Sequence, residues 1–343
     1  MDHDDELLLE RVVRRSSAAQ RGPIPEFLNK KKAEQEHKTW IGYRTSLTKF
    51  HEFIGEDATV GDFTEAAGHR FLTYLRDQGL SKNTIATYFR DLRSFSRWMC
   101  ERGWTGEDRW EHLRRPKFVR PKFDTISTED KQALLKDFNP NCFQGARNLA
   151  ILALFLDTGV RLGELITIED DRVRLEAGYV EVYADKTDEW RIIPLSPETV
   201  EICQHYRAIR QEFLGKPVRH RSGQRSRRTL ETRAFFCSWR GTQLTENGVG
   251  QMIRRLRQRL GGDLKVHIHP HLFRHNFLTE KALDGENPSI VRRWAGHKSY
   301  EMTDYYFGLA EQKMAAIRPK RSSLSGISPL RKKPGRKPKR RAA

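Results

Sequence analysis

Between residues 271 and 306 the chain gathers side chains suited to phosphoryl transfer. His271, Arg274 and His275 fall within one and a half turns of a helix. His297 follows Gly296, a residue type that commonly closes a helix. Tyr306 comes nine residues after His297. Guanidinium forks match phosphate oxygens, an imidazole exchanges protons near neutral pH, and a phenol can attack as a nucleophile. Any one of these residues alone would ordinarily be a surface or packing side chain. Their order and spacing as a set point to chemistry.

The whole chain has the charge such a reaction would need. Its 343 residues carry 63 Lys and Arg against 45 Asp and Glu, a net charge of +18, which implies a polyanionic partner, most often nucleic acid. The length suits two domains. Cys100, Cys142, Cys203 and Cys237 are scattered with no C-x-x-C spacing, which argues against zinc fingers or a disulfide framework and fits a reducing compartment. The first residues, MDHDDELLLE, lack the shape of a signal peptide, and the longest strongly apolar run, residues 149–156, is too short to span a bilayer. The expectation is an intracellular, cytoplasmic protein, associated with the nucleoid and not with a membrane.

Elements that could position the set follow from periodicity. Residues 1–25 read as a charged, flexible arm. From about residue 26 to 118 the pattern is helical: Trp40, Tyr43, Leu47, Phe50 and Ile54 recur at helical spacing, and Phe71, Leu72 and Leu75 mark a second helix. A third helix is capped by Ser81 and has one apolar face of Ile85, Tyr88, Phe89, Leu92, Phe95 and Met99. Arg90, Arg93 and Arg97 lie on another side of it, where they could meet phosphates or a major groove. Residues 115–123 contain Arg-Pro-Lys-Phe twice, and Pro116 and Pro121 favour an extended connector. Its basic residues Arg115, Lys117, Arg120 and Lys122 are candidate backbone contacts. Ser127 opens the next helix with a capping box. An apolar helix then turns at Thr158 and Gly159, with Arg161 entering another helix. Residues 179–183 and 190–194 alternate like a hairpin, with Lys186 at its tip. Residues 216–233 are arginine-rich and read as a mobile loop. His267, His269, His271 and His275 could suggest a metal site, but no cysteine or carboxylate cluster supports one and Pro270 interrupts the run, so no metal is expected. A basic tail, residues 319–343, suits a sequence-independent grip on DNA.

The set resembles the tyrosine recombinases, the phage-integrase and Xer-like family. Their pattern is His-x-x-Arg-His, then Gly-His, then a Tyr nine residues on. All parts are present, with Phe273 and Ala295 where the family usually has Leu. Thr158, Gly159, Arg161, Glu164 and Leu165 match the family's first arginine motif, and Lys186, eight residues before Pro194, fits the family's hairpin lysine. The phrase GLSKNT, with Lys82 and Asn83, resembles the entry to the DNA-gripping helix of the family's core-binding domain.

The resemblance implies a mainly α fold with a small antiparallel sheet. A helical, SAM-like core-binding domain (26–118) and a catalytic domain (119–318) would form a C-clamp on DNA. It implies a site-specific recombinase, needing no cofactor, that works as a homo-tetramer on double-stranded DNA carrying a recombination site. Tyr306 would be the nucleophile, forming a 3′-phosphotyrosyl bond. Arg161 and Arg274 would hold the phosphate, His271 would take the tyrosine proton, Lys186 would protonate the leaving oxygen and His297 would donate to the phosphate. Glu164 and His275 would support them from behind. The basic insert and tail lean towards an integrase of a virus, plasmid or other mobile element. A Xer-like resolvase of chromosome or plasmid dimers and an inactive DNA-binding accessory protein are the alternatives.

Overall fold

The computed structural model describes residues 22–55, 57–117, 125–184, 188–215, 217–219, 225–227 and 232–317. The chain divides into two compact units, residues 1–122 and 123–343. Within the described residues the protein is mostly helical with little sheet, as the resemblance implied.

The first unit is built from α1 (Pro23–Glu34), α2 (His37–Ile54), α3 (Glu65–Asp77) and α4 (Lys82–Glu101). The predicted cap of α4 is present: Ser81 Oγ accepts from the Thr84 amide at 3.1 Å. Its apolar stripe packs into an aromatic core of Phe27, Phe50, Phe71, Phe89, Phe95 and Trp110. Large rings at helical spacing bury much area per residue, which lets a small helical unit hold together. Beyond α4 the chain returns as a loop whose Trp110 is fully buried.

That loop changes the reading of one candidate. Arg93 does not face outward beside its neighbours. Its Nη1 donates to the carbonyls of Trp110 at 3.1 Å and Leu113 at 3.3 Å. Buried carbonyls need donors, so Arg93 braces the loop. Lys82, Arg90, Arg97, Arg115 and Lys117 are exposed, and Asn83 is half-buried. Arg90 donates to Asp91 Oδ1 at 2.9 Å. Arg120 and Lys122 lie outside the described residues.

The second unit begins with α5 (Thr128–Lys136), capped by Ser127 as expected. Next come α6 (Phe143–Thr158) and the short α7 (Leu162–Thr167). The strands β1 (Val173–Arg174), β2 (Tyr179–Ala184) and β3 (Glu189–Pro194) form one antiparallel sheet in that order, with Val180 opposite Ile193. Both hairpin strands run one residue further than the alternation predicts. Lys186, at the tip, falls outside the described residues. Then follow α8 (Pro197–Gly215), the strand pair β4 (Pro217–Arg219) and β5 (Arg225–Arg227), α9 (Glu246–Leu260), α10 (Pro270–Leu283), α11 (Pro288–Ala295) and α12 (Tyr300–Ile317). The β4–β5 ladder corrects the reading of 216–233 as loop throughout, since Val218 pairs with Ser226. No helix among the described residues is long and apolar enough to cross a membrane.

α6 is apolar nearly all round because it runs through the core, and Phe155 stacks on Phe273 of α10 at 5.5 Å between centroids. That contact sets the two motif-bearing helices side by side. α6 ends at Gly159 with φ +59°, and a Cβ there would lie 2.5 Å from Phe277 Cδ1. Glycine is required twice over: for the left-handed turn and for the approach to α10.

Candidate active site

The site forms where α7, β3, α10, α11 and α12 meet, all within the second unit. The chain leaves the Gly159 turn and enters α7 with Arg161 at its N-cap position. The Arg161 amide donates to Glu164 Oε2 at 2.9 Å, and its Nη1 donates to Glu164 Oε1 at 2.7 Å. The carboxylate three residues on thus fixes both backbone and side chain of the arginine. Glu164 also receives a second fork, from Arg191 Nη1 at 3.2 Å and Nη2 at 2.6 Å. Burial by itself would push the Glu164 carboxyl up, but hydrogen bonds and charge from Arg191, then Arg161, outweigh it and hold the group below its ordinary value.

Three guanidinium groups converge on the end of α11. Arg191 Nε donates to the Trp294 carbonyl at 2.8 Å, Arg274 Nη2 to that of Ala295 at 2.5 Å, and Arg161 Nη2 to that of Gly296 at 3.3 Å. The last carbonyls of a helix lack partners within it and sit at the negative end of its dipole, so cations suit them. Gly296, at φ +61°, turns the chain there, and His297 follows. Arg274 is anchored at its other end by Nη1 to the Gly159 carbonyl at 2.9 Å. Burial, then the neighbouring Arg161, pull the Arg274 guanidinium down to about 9, so it stays charged at neutral pH.

Tyr306 is buried in a small cluster with Phe277, Leu278, Val291 and Ala295. Its hydroxyl shares a short hydrogen bond with Nδ1 of His275. Its ring lies 6.4 Å from that of His297 and nearly parallel to it. Burial pushes the phenol up to about 12, with Arg274 pulling the other way. Burial, then His271, His269 and Arg274, lower the His275 ring to about 4. His297 is lowered to about 3 by burial, then by Arg274 and Arg161, and its Nδ1 meets Thr303 Oγ1 at 2.9 Å. Both rings are therefore neutral at neutral pH.

Of the residues predicted from sequence, Arg161, Glu164, Arg274, His275, His297 and Tyr306 come together here. His271, expected to take the tyrosine proton, stands exposed at the first turn of α10, and His275, expected behind it, is the residue that touches the phenol. Tyr305 is only partly buried, edge-on to Tyr306 at 5.5 Å between centroids. His267 lies outside the cluster against Arg257, with Nη1 to Nε2 at 2.5 Å. Arg191 and Thr303 were missed. The signal for Arg191 was present in the alternation of β3, where it falls on the inward side with Ile193. An arginine in an inward register of a strand requires a buried anion.

Comparison with known proteins gives the family. Residues 125–313 match the phage integrase family, and residues 24–115 match the phage integrase SAM-like domain. The tyrosine recombinase XerD of Staphylococcus saprophyticus is 28% identical over 267 residues, 77% of this chain and 85% of that protein. XerD of Staphylococcus aureus is 27% identical over the same shares. Among solved structures, the XerH site-specific recombinase bound to its palindromic difH substrate superposes with a TM-score of 0.67 at 18% identity, covering 92% of this chain and 88% of that one. The Tn1549 transposon integrase in complex with a circular intermediate DNA gives 0.65 at 18%, covering 85% and 98%. These structures share the fold. With one match spanning more than half of the chain and containing every residue of the site, and a second spanning the helical unit, the chain belongs to the phage integrase family of tyrosine recombinases.

Proposed function

We propose that this protein is a site-specific DNA recombinase that cuts and rejoins duplex DNA through a bond to Tyr306. The observation that carries the reading is charge. Two guanidinium groups share one carboxylate and a third, on Arg274, lies with them beside a buried phenol, an excess of two positive charges. A site so composed calls for an anion, and a phosphodiester supplies both the charge and the atom for the phenol to attack.

The Tyr306 oxygen attacks the phosphorus, and the bond to the 5′ oxygen breaks. The products are a 3′-phosphotyrosyl ester and a free 5′-hydroxyl. Arg161 and Arg274 hold the non-bridging oxygens, and removing such a donor commonly costs about 100-fold or more in rate. His297 donates to a phosphate oxygen. His275 orients the phenol, exposed His271 takes its proton, and Lys186 gives one to the leaving oxygen. The ester conserves the energy of the broken bond, so rejoining needs no nucleotide. Both units contact the duplex, and four copies act on two synapsed sites. The arginine-rich insert and basic tail support an integrase of a mobile element. A Xer-like resolvase of chromosome or plasmid dimers is the second reading.

The test is a pool of nicked duplexes with randomised core sequence, from which the wild type captures its own substrates as covalent adducts. Tyr306→Phe should bind the captured duplexes and form no adduct, while Tyr305→Phe should form it. An adduct from Tyr306→Phe, or none from the wild type, refutes the assignment.

A further inference from the structure

Arg191 belongs to none of the motifs that pointed to the site, yet its side chain is as buried as that of Glu164, each 8% exposed. Every nitrogen of its guanidinium is engaged. Nη1 and Nη2 hold the two oxygens of Glu164 at 3.2 and 2.6 Å, and Nε holds the Trp294 carbonyl at 2.8 Å. These two partners serve different parts of the site. Glu164 fixes Arg161 through its amide and Nη1. Trp294 opens the row of carbonyls on which Arg274 and Arg161 also rest, three residues before His297. Arg191 also fits against the glycine that turns the chain towards His297, since a Cβ on Gly296 would meet its Nη1 at 3.1 Å and its Cζ at 3.3 Å.

We propose that Arg191 is a positioning residue for strand cleavage, a cross-tie that holds Arg161 and His297 in register for one phosphate. The inference rests on the recombinase reading above. Arg191 acts on the reacting phosphate only through Glu164 and the end of α11. A planar fork with a third donor is needed for the job: it must meet both carboxylate oxygens and a carbonyl at fixed angles. Lysine offers a point charge on a flexible stem and cannot hold that geometry. Misplacement of a catalytic group by about 1 Å can cost roughly 100-fold in rate, because near-attack alignment is lost.

The experiment uses the full chain and the duplexes captured by the wild type, at protein concentrations that saturate the DNA. Arg191→Gln should cleave about 100-fold more slowly, and Arg191→Lys, which keeps the charge, about 10-fold more slowly. Dissociation constants for DNA should stay within about twofold, because the Arg191 nitrogens are already engaged by Glu164 and Trp294. Combining Arg191→Gln with Glu164→Gln should slow cleavage no further than the worse single change, since the two act as one unit. An unchanged cleavage rate in Arg191→Gln would overturn the proposal. So would a loss matched by an equal fall in folded fraction, measured by thermal melting, with Arg191→Lys fully active. Failure of the wild type to form any adduct would instead refute the recombinase reading and take this inference with it.

Discussion

The two histidines of α10 can be separated by experiment, and the structure supplies the size of the effect. Ionising Tyr306 into solvent, from a phenol near 12, costs about 6 kcal/mol at a pH of about 7.5. Handing the same proton to His275, whose ring lies near 4, costs up to about 11 kcal/mol, less the attraction within the ion pair it creates. Burial raises the phenol and lowers the imidazole at once, so the residue that touches the hydroxyl is the poorer acceptor. A better acceptor is a group still in contact with water, and His271 is exposed. His275→Asn keeps an oxygen that can accept the phenol hydrogen bond, so cleavage should slow by no more than about 10-fold, the worth of one hydrogen bond. His271→Gln removes a general base and should slow it by about 100-fold to 10,000-fold. In that variant the rate should climb about tenfold per pH unit from about 7 to 9, as the ionised phenol becomes the reacting species. The assay is single-turnover adduct formation on a captured duplex. If His275→Asn proves as slow as His271→Gln, or His271→Gln keeps its rate, the proton leaves through His275 and the reasoning fails.

Three further outcomes test other parts of the chain. Glu164→Gln leaves two guanidinium groups without their anion and should destabilise the second unit by roughly 3 to 5 kcal/mol in urea melts. Because the folded carboxyl is held below 4.5, its contribution is present above that pH and lost as pH falls through the folded value, so acid should weaken the wild type there more than the variant. Gly159→Ala forces a left-handed φ of +59° on alanine and a methyl into Phe277, which should cost about 2 to 5 kcal/mol by the same melts; a variant as stable as wild type would contradict the packing. Deleting residues 319–343 should flatten the dependence of log affinity on log salt by about 0.9 for each phosphate the tail neutralises while leaving site preference intact, and an unaltered slope would show that the tail does not grip DNA.

Much of the site was legible because local rules and functional spacing coincide in it. The turn at Gly159 places Arg161, the turn at Gly296 places His297, and the family's nine-residue interval selects Tyr306, the more deeply buried of two adjacent tyrosines. What was not legible depends on which carbonyls and carboxylates arrive from far along the chain. Arg93 looked like one of three equivalent arginines on a helix face. It is spent on Trp110 and Leu113 because a loop about twenty residues away returns across α4. His275 could not be paired with Tyr306 from sequence, since their meeting needs α10 packed against α12. The β4–β5 pair is short and arginine-rich, with none of the apolar alternation by which a strand is recognised.

The end of α11 explains why these separate motifs form one site. A helix terminus presents carbonyls that its own backbone cannot satisfy, and here residues 294, 295 and 296 take one guanidinium each from β3, α10 and the start of α7. The arginines are thereby fixed before any phosphate arrives, and their remaining N–H groups need not be ordered at the moment of reaction. That is the condition under which electrostatic stabilisation is most effective. Burial first, and then the charges of Arg274, Arg161, Arg191 and Arg292, keep His297 neutral. On the proposed mechanism, a phosphate bound here would offset the arginines' charge and lower the cost of protonating His297, which would couple binding to the histidine through the same guanidinium groups.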